Sequence, residues 1–115
     1  MKKKYSLKKN EDIQKILARG RFYRNREFIM YVVDNGTDKN YVAFLVGKKL
    51  GNAPVRNKMK RKMRSAFDVY WNQLVKGKNI VIIARPMVLD EKQEILINSF
   101  DFLLKRHKML NRQLK

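Results

Sequence analysis

Three stretches of this chain are apolar on both alternating faces, and they limit the possible folds more than any other feature. Residues 28–33 and 41–46 are rich in β-branched and aromatic side chains, and residues 80–84 are continuously apolar. Strands of this kind belong to a sheet that is covered on one face and either covered or used for binding on the other. We therefore predict that these strands form a sheet with at least one covered face.

Apolar residues at helical spacing predict three helices. The first begins after an N-cap at Asn10 and stops at Gly20. The second is the longest and runs over residues 52–74, with Asn52 as its cap. The third begins near Asp90, where acidic residues suit the positive end of a helix dipole.

Strand patterns fill the intervals between these helices. Residues 21–34 predict a strand with a break after Arg24, and residues 39–46 predict another. The turn-forming residues 34–38 predict a hairpin in which these two segments pair. With the continuously apolar stretch as the last strand, the element order is α-β-β-β-α-β-α. The elements form one domain over residues 1–115, whose first nine residues are a basic N-terminal arm.

The net charge of the chain indicates a polyanionic partner. Lys and Arg number 28 against 10 Asp and Glu, so the formal charge is +18. Such a charge opposes compaction unless a partner neutralises part of it. RNA is the leading candidate, and an anionic membrane surface is the alternative. The absence of cysteine, of an apolar secretory signal and of any long apolar run favours a cytoplasmic protein.

The second predicted helix and the turn before it carry the most concentrated charge. Eight basic and no acidic residues lie between Lys48 and Arg64. At about 100° per residue, one flank of this helix is apolar and consists of Val55, Met59, Met63, Ala66, Phe67, Tyr70 and Leu74. Five polar side chains form one band beside the apolar flank: Arg56, Asn57, Lys60, Arg61 and Arg64. Lys58 and Lys62 fall on the remaining side, which we expect to be solvated. A merely solvated helix would mix in glutamate, whereas guanidinium forks bind phosphate in bidentate fashion. The band therefore favours phosphate binding over a solvated surface.

The sequence offers no catalytic or metal-binding constellation. His107 is the only histidine, which excludes a paired-histidine nuclease mechanism, and we expect it on the surface. The acidic residues are scattered, so they indicate no metal held by protein carboxylates. A DNA-binding module would need a short recognition helix after a tight turn, and this signature is missing.

A family resemblance is carried by residues 48–64, which read KKLGNAPVRNKMKRKMR. This stretch resembles the signature of the bacterial ribonuclease P protein subunit, with its Lys-Leu-Gly run leading into an Arg-Asn-Arg helix. Residues 25–28, which read NREF, and residues 80–85, which read IVIIAR, are similar to two further segments of that family. The combination is specific, and it spans nearly the whole chain.

Four positions depart from the family pattern. Lys58 stands where arginine is usual, which keeps the charge and loses the fork, and Pro54 replaces an aliphatic residue. Ile13 and Leu17 stand where the family often has aromatic residues that contact substrate.

The resemblance implies both a fold and a function. The fold would be a two-layer α+β sandwich with three helices and a mixed four-stranded sheet. It would contain a left-handed β-α-β crossover, although sequence alone predicts a right-handed one. The function would be that of the protein subunit of ribonuclease P, an endoribonuclease that matures the 5′ end of precursor tRNA. Catalysis would belong to the partner RNA, with Mg²⁺ held mainly by that RNA and none by protein side chains alone. Ribonuclease P RNA and precursor tRNA would be the partners, rather than a membrane or DNA.

The resemblance also implies two binding sites. Contacts to the catalytic RNA are expected from Lys48, Lys49, Arg56, Asn57, Lys58, Lys60, Arg61 and Arg64. The 5′ leader would lie in a cleft where Tyr31 stacks on a base and Ile13 and Leu17 form walls. For Tyr31 and these two apolar residues, packing in the core is the alternative. The competing function is an RNA-binding module of the ribosomal-protein type, or an RNA chaperone, without a ribozyme partner.

Overall fold

A computed structural model describes residues 3–111 of the chain. Its helices and strands follow the predicted order: α1 (Asn10–Arg19), β1 (Arg21–Arg24), β2 (Phe28–Asp34), β3 (Tyr41–Leu45), α2 (Ala53–Asp68), β4 (Lys78–Ala84) and α3 (Gln93–Arg106). The predicted break after Arg24 separates β1 from β2. The prediction of an α+β fold with three helices and a four-stranded mixed sheet is confirmed.

The strand order of the sheet is β1-β2-β4-β3, so the predicted hairpin between β2 and β3 is wrong. Instead, β1 pairs with β2, and β4 lies between β2 and β3, antiparallel to the former and parallel to the latter. The physical reason lies in β4 itself, where Ile80, Val81 and Ile82 are fully buried. A strand that is apolar on both faces is most stable at the centre of the sheet, where it has a neighbour on each side.

The loop between β2 and β3 still has the predicted turn chemistry. The side-chain oxygen of Asn35 accepts from the backbone N–H of Thr37 at 2.8 Å, and its side-chain nitrogen donates to the backbone oxygen of Lys39 at 2.9 Å. The start of β4 is bonded to this loop, because the N–H of Asn35 donates to the oxygen of Gly77 at 3.0 Å. Gly77 has a φ of +85°, and a Cβ there would lie 2.6 Å from the oxygen of Thr37. The turn is therefore hydrogen-bonded to the start of β4, and the two strands that flank the turn do not pair with each other.

The parallel pairing of β3 and β4 makes β3-α2-β4 a crossover unit. The left-handedness of this crossover stays a prediction of the family resemblance.

Helices lie on both faces of the sheet. The larger core joins α2 and α3 to side chains such as Phe28, Met30 and Ile82. The opposite face is partly covered by α1, whose Ile13 and Ile16 pack on Val81 and neighbouring residues. The main sandwich of sheet and two helices therefore carries α1 as an additional element on its second face. The rest of that face is left open beside α1.

Some helix boundaries differ from those expected. Asn10 is the first residue of α1 rather than its N-cap, whereas Asn52 caps α2 as predicted and accepts from the N–H of Val55 at 3.1 Å. The end of α2 lies at Asp68 and not at residue 74. A 3₁₀ turn, Trp71–Gln73, follows the helix, and Leu74 then forms a bridge with Leu110. The first turn of α3 begins at Gln93, three residues after the predicted start.

The N-terminal arm packs along the free edge of β3. Ser6 forms a parallel bridge with Val42, and the N–H of Leu7 donates to the oxygen of Val42 at 2.8 Å. The ring of Tyr5 lies 5.3 Å from that of Trp71. These contacts cover a sheet edge that would otherwise be exposed to pairing with another chain. Residues 1 and 2 of the predicted arm lie outside the described residues.

Candidate nucleic-acid interface

The orientation of α2 follows from its buried side chains. Met59, Met63, Ala66 and Phe67 pack against the sheet, as the helical spacing predicted. Val55, which was predicted on the same flank, is 43% exposed at the start of the helix. Because side chains follow one another by about 100° along a helix, burial of this flank leaves the next one facing outward.

The outward flank carries the predicted band. Asn57 and Arg61 are exposed, and Arg56, Lys60 and Arg64 are half-buried beside the core. The remaining predicted contacts are exposed at the start of the helix: Lys48, Lys49 and Lys58. Lys48 and Lys49 lie in a 3₁₀ turn, Lys48–Leu50, which leads to the cap of α2. The structure thus brings all eight predicted RNA-binding residues onto one segment of the surface.

Two arginines of the band, Arg56 and Arg64, are partly buried by the protein. The guanidinium carbon of Arg64 is 5.7 Å from the centre of the Phe44 ring, within the range of a cation–π contact. Within the described part of the chain, the Nε atoms of Arg56 and Arg64 are buried and have no hydrogen-bond partner. A buried donor without an acceptor has a free-energy cost.

The other flank of α2 is covered by α3. Lys62 was expected to be solvated, but its ammonium group donates to the backbone oxygen of Glu91, and Gln93 donates to the backbone oxygen of Lys62 at 3.3 Å. Lys62 therefore stabilises the packing of the two helices. The helical wheel placed Lys62 on the correct side, but it could not reveal that α3 covers that side.

The predicted cleft lies on the open face of the sheet. Tyr31 and Leu17 are half-buried there, at the margin of the core formed with α1. Ile13 is only 9% exposed and belongs to that core, so its surface available to a ligand is small. Of the three predicted cleft residues, Leu17 and Tyr31 retain accessible surface.

Sequence reasoning missed two side chains on this face. Phe22 is 49% exposed, and its ring centre lies 5.0 Å from that of Tyr31. Arg24, two residues further along β1, is also exposed. Each face of this four-residue strand carries one arginine and one aromatic residue, so both faces look alike in sequence. The strand's register with β2 was the signal needed to find these residues.

Two of the family-like segments meet in a structural network. The side-chain nitrogen of Asn25 donates to the oxygen and hydroxyl of Ser99 in α3, and its side-chain oxygen accepts from the N–H groups of Glu27 and Phe28. Arg85 donates to the backbone oxygen of Asn25 at 2.7 Å. These residues join the β1–β2 turn to β4 and α3. Their role is therefore to hold the sheet together.

His107 is half-buried, contrary to the expected surface position. Its Nε2 donates to the backbone oxygen of Met30 at 2.8 Å, and its ring packs edge-on against Tyr23. Burial lowers the pKa of His107 below its usual 6.5, against the opposing effect of the bond to Met30, and the charges of Arg21 and Arg106 lower this pKa further. The contacts of His107 with Met30 and Tyr23 thus link the end of α3 to strands β2 and β1.

Two properties of residues 3–111 bear on the class of the protein. They contain no cluster of three or more His, Cys, Asp or Glu side chains arranged to hold a metal ion. None of their helices is both long enough and apolar enough to span a membrane. With a cationic flank on the helix that packs on one face of the sheet and an open area on the opposite face, the fold defines a small α+β protein of the polyanion-binding class.

Comparison with known proteins narrows this class to one family. A model of the family described as Ribonuclease P matches residues 1–108. The ribonuclease P protein component of Staphylococcus aureus strain Mu3 is 37% identical over 116 residues, and the match covers 100% of both chains. The structure of the Staphylococcus aureus RNase P protein at 2.0 angstrom has a TM-score of 0.83 and 38% identity, covering 93% of this chain and 98% of that one. The RNase P protein from Thermotoga maritima has a TM-score of 0.80 and 28% identity, with coverages of 88% and 96%.

The chain therefore belongs to the ribonuclease P protein family and is a protein subunit of a tRNA-processing ribonucleoprotein. The family resemblance that its motifs suggested is confirmed.

Proposed function

We propose that this protein binds ribonuclease P RNA through the band on α2 and the 5′ leader of precursor tRNA through the open face of its sheet. Both contacts would promote removal of the leader. The observation that carries this proposal is the band of cationic side chains on the outward flank of α2, where Arg61 is exposed and Arg56, Lys60 and Arg64 are half-buried. No acidic residue lies between Lys48 and Arg64 to neutralise them. The terminal nitrogens of arginine bind phosphate oxygens in bidentate fashion.

The proposal assigns the chemical step to the RNA. A protein-held Mg²⁺ would need converging carboxylates, and the described residues do not provide such a cluster. His107, the only histidine of the chain, is engaged with a backbone oxygen and an aromatic ring. Mg²⁺ would therefore be held mainly by the RNA, and the protein would contribute binding and positioning. We place this activity in the cytoplasm, in keeping with the sequence.

The open sheet face suits a single-stranded leader. Leu17, Tyr31 and Phe22 offer apolar and aromatic surface there. Stacking of bases on aromatic rings tolerates sequence variation, because every base has a π-face. Leaders that differ in sequence from one tRNA to another could be bound by the same surface.

Reconstitution tests this proposal. Protein freed of RNA should leave precursor tRNA intact, and addition of the ribonuclease P RNA with Mg²⁺ should give cleavage at the correct 5′ position at a higher rate than the RNA alone. Cleavage by the RNA-free protein would contradict the assignment of catalysis to the RNA. Copurification with ribosomal RNA alone, without any effect on the ribozyme, would instead favour an RNA-binding module or chaperone.

A further inference from the structure

An aromatic pair lies across β1 and β2, on the sheet face to which the proposed function assigns the leader. Phe22 and Tyr31 are direct partners in the register, and their ring centres lie 5.0 Å apart at an interplanar angle of 36°. Aromatic partners at this position stabilise strand pairing. Packing alone would favour burial of both rings, yet half of the Phe22 side chain is exposed.

The pair lies on the open face of the sheet. Met30, the neighbour of Tyr31 along β2, is fully buried in the core with α2 and α3. Successive side chains of a strand point to opposite faces, so Tyr31 and its partner Phe22 point away from that core. Tyr31 touches the margin of the α1 core, and Phe22 extends the aromatic surface outward to the edge strand β1.

The cationic side chain of Arg24 lies on the same strand as Phe22 and is exposed. Arg24 is two residues from Phe22 on the same strand and is paired with Ile29, which places it on the same face. Two residues along a strand span about 7 Å, a distance that the long arginine side chain can bridge. A base lying on the two rings would thus have its neighbouring phosphate within reach of Arg24.

We propose that Phe22 and Tyr31 form a joint stacking platform for one unpaired base of the leader, and that Arg24 binds the adjacent phosphate. Strand β1 thereby adds aromatic surface to a cleft in which the α1 side chains, Ile13 and Leu17, are aliphatic. The inference rests on the proposed leader binding and specifies where and how one base is held.

The test measures binding of precursor tRNA to the reconstituted particle, with single abasic nucleotides placed in turn along the leader. An abasic nucleotide removes a base and keeps its phosphate. We expect one position at which the abasic change weakens binding about fivefold, near the low end for loss of one base–ring stack. The F22A variant should bind the intact leader about fivefold more weakly, and the abasic change at that position should then have no further effect.

The matched control is F102A. Phe102 is 52% exposed on α3, which packs on the opposite face of the sheet. This variant removes a similarly exposed ring, and it should retain the intact particle's response to the abasic change. F22W should restore binding, because tryptophan keeps a ring at the site. R24A should reduce the magnitude of the log–log salt slope by about 0.7, the value for one phosphate contact on a single strand.

Several outcomes would overturn the inference. Equal affinities of F22A and F102A for the intact leader would do so, as would an abasic penalty that persists in F22A. If F22A unfolds, F22L keeps apolar volume against Tyr31 without a ring and takes its place. Failure of the unmodified particle to prefer precursor over mature tRNA would refute the proposed leader binding itself, and the inference with it. A normal preference that F22A leaves unchanged would refute the inference alone.

Discussion

The R61A variant tests whether Arg61 contacts a phosphate of the RNA or is only a solvated charge. Arg61 is exposed on the outward flank of α2, beside a depression of about 240 Å³ that it lines with Arg64, Ser65 and Asp68. R61A should reduce the magnitude of the log–log salt slope for RNA binding by about 0.7–0.9, because one phosphate fewer is neutralised. Its stability should change by less than about 0.5 kcal/mol, as for most exposed substitutions. R61K should keep the slope and lose affinity, since lysine retains the charge without the bidentate fork.

The same change at Arg64 should have a second effect. The guanidinium group of Arg64 lies over the ring of Phe44, so R64A removes both a phosphate contact and a cation–π contact. At a partly exposed site the latter contributes about 0.5–1 kcal/mol. In a domain of this size, about 1 kcal/mol corresponds to a decrease in Tm of roughly 4 °C. R64A also removes the buried, unpartnered Nε donor, and loss of its cost offsets part of this decrease. The Tm of R64A should therefore fall by no more than this amount, while its salt slope is reduced as in R61A.

Fluorescence anisotropy of labelled ribonuclease P RNA, titrated at several salt concentrations, measures the slope, and thermal melts measure stability. K92A is the control, because Lys92 is an exposed cation at the start of α3, next to Glu91 on the covered side of α2. It removes one positive charge and should leave the slope unchanged. An unchanged slope in R61A, or an equal reduction in K92A, would refute the localisation of RNA binding to the band.

Three further predictions concern the cleft and the supporting network. Y31A should reduce the affinity for precursor tRNA by roughly fivefold or more while leaving mature tRNA unaffected; equal loss with both substrates would make Tyr31 a core residue. N25A should lower the free energy of unfolding in urea by about 2–3 kcal/mol, because the bonded N–H groups and Ser99 lose their partner; a change near zero would remove this network from the account of stability. The lowered pKa of His107 means that the unfolded state takes up a proton more readily than the folded state, so stability should fall as the pH drops below 6.5. In H107Q the decrease in Tm from neutral pH to about pH 5 should be smaller; an equal decrease would show that other groups cause it.

The band on α2 could be located from sequence because helical periodicity is a local property. The positions of Met59, Met63 and Phe67 set which side of the helix is buried, and the structure confirms their burial. The outward flank then follows without any knowledge of the rest of the fold. The role of Lys62 did not follow, because it depends on α3, which is about thirty residues further along the chain.

The pairing of strands could not be found in the same way. Residues 34–38 have the composition of a hairpin turn, and the structure contains their local hydrogen bonds. Strands β2 and β3 nevertheless do not pair, because β4 lies between them. The gain from burying both faces of β4 at the centre of the sheet is non-local, and it outweighs the local preference of the turn.

The aromatic pair of Phe22 and Tyr31 also could not be found from local sequence patterns. Sequence reasoning selected Tyr31 through the family resemblance and overlooked Phe22, because neither face of β1 is distinctly apolar. The partnership of the two rings exists only in the register between the strands. His107 was misjudged for a related reason, since the carbonyl that fixes it belongs to Met30 on a distant strand.

The sequence by itself determined the α+β class, the order of the elements, the family and the cationic flank of α2. These properties depend on composition and on periodicities that repeat within a few residues. Tertiary structure decided which strands are neighbours, which lysine is covered and which aromatic residues face the open side of the sheet. Those outcomes depend on burial between segments far apart in the chain, where the favourable free energy comes from surface removed from water rather than from any local pattern.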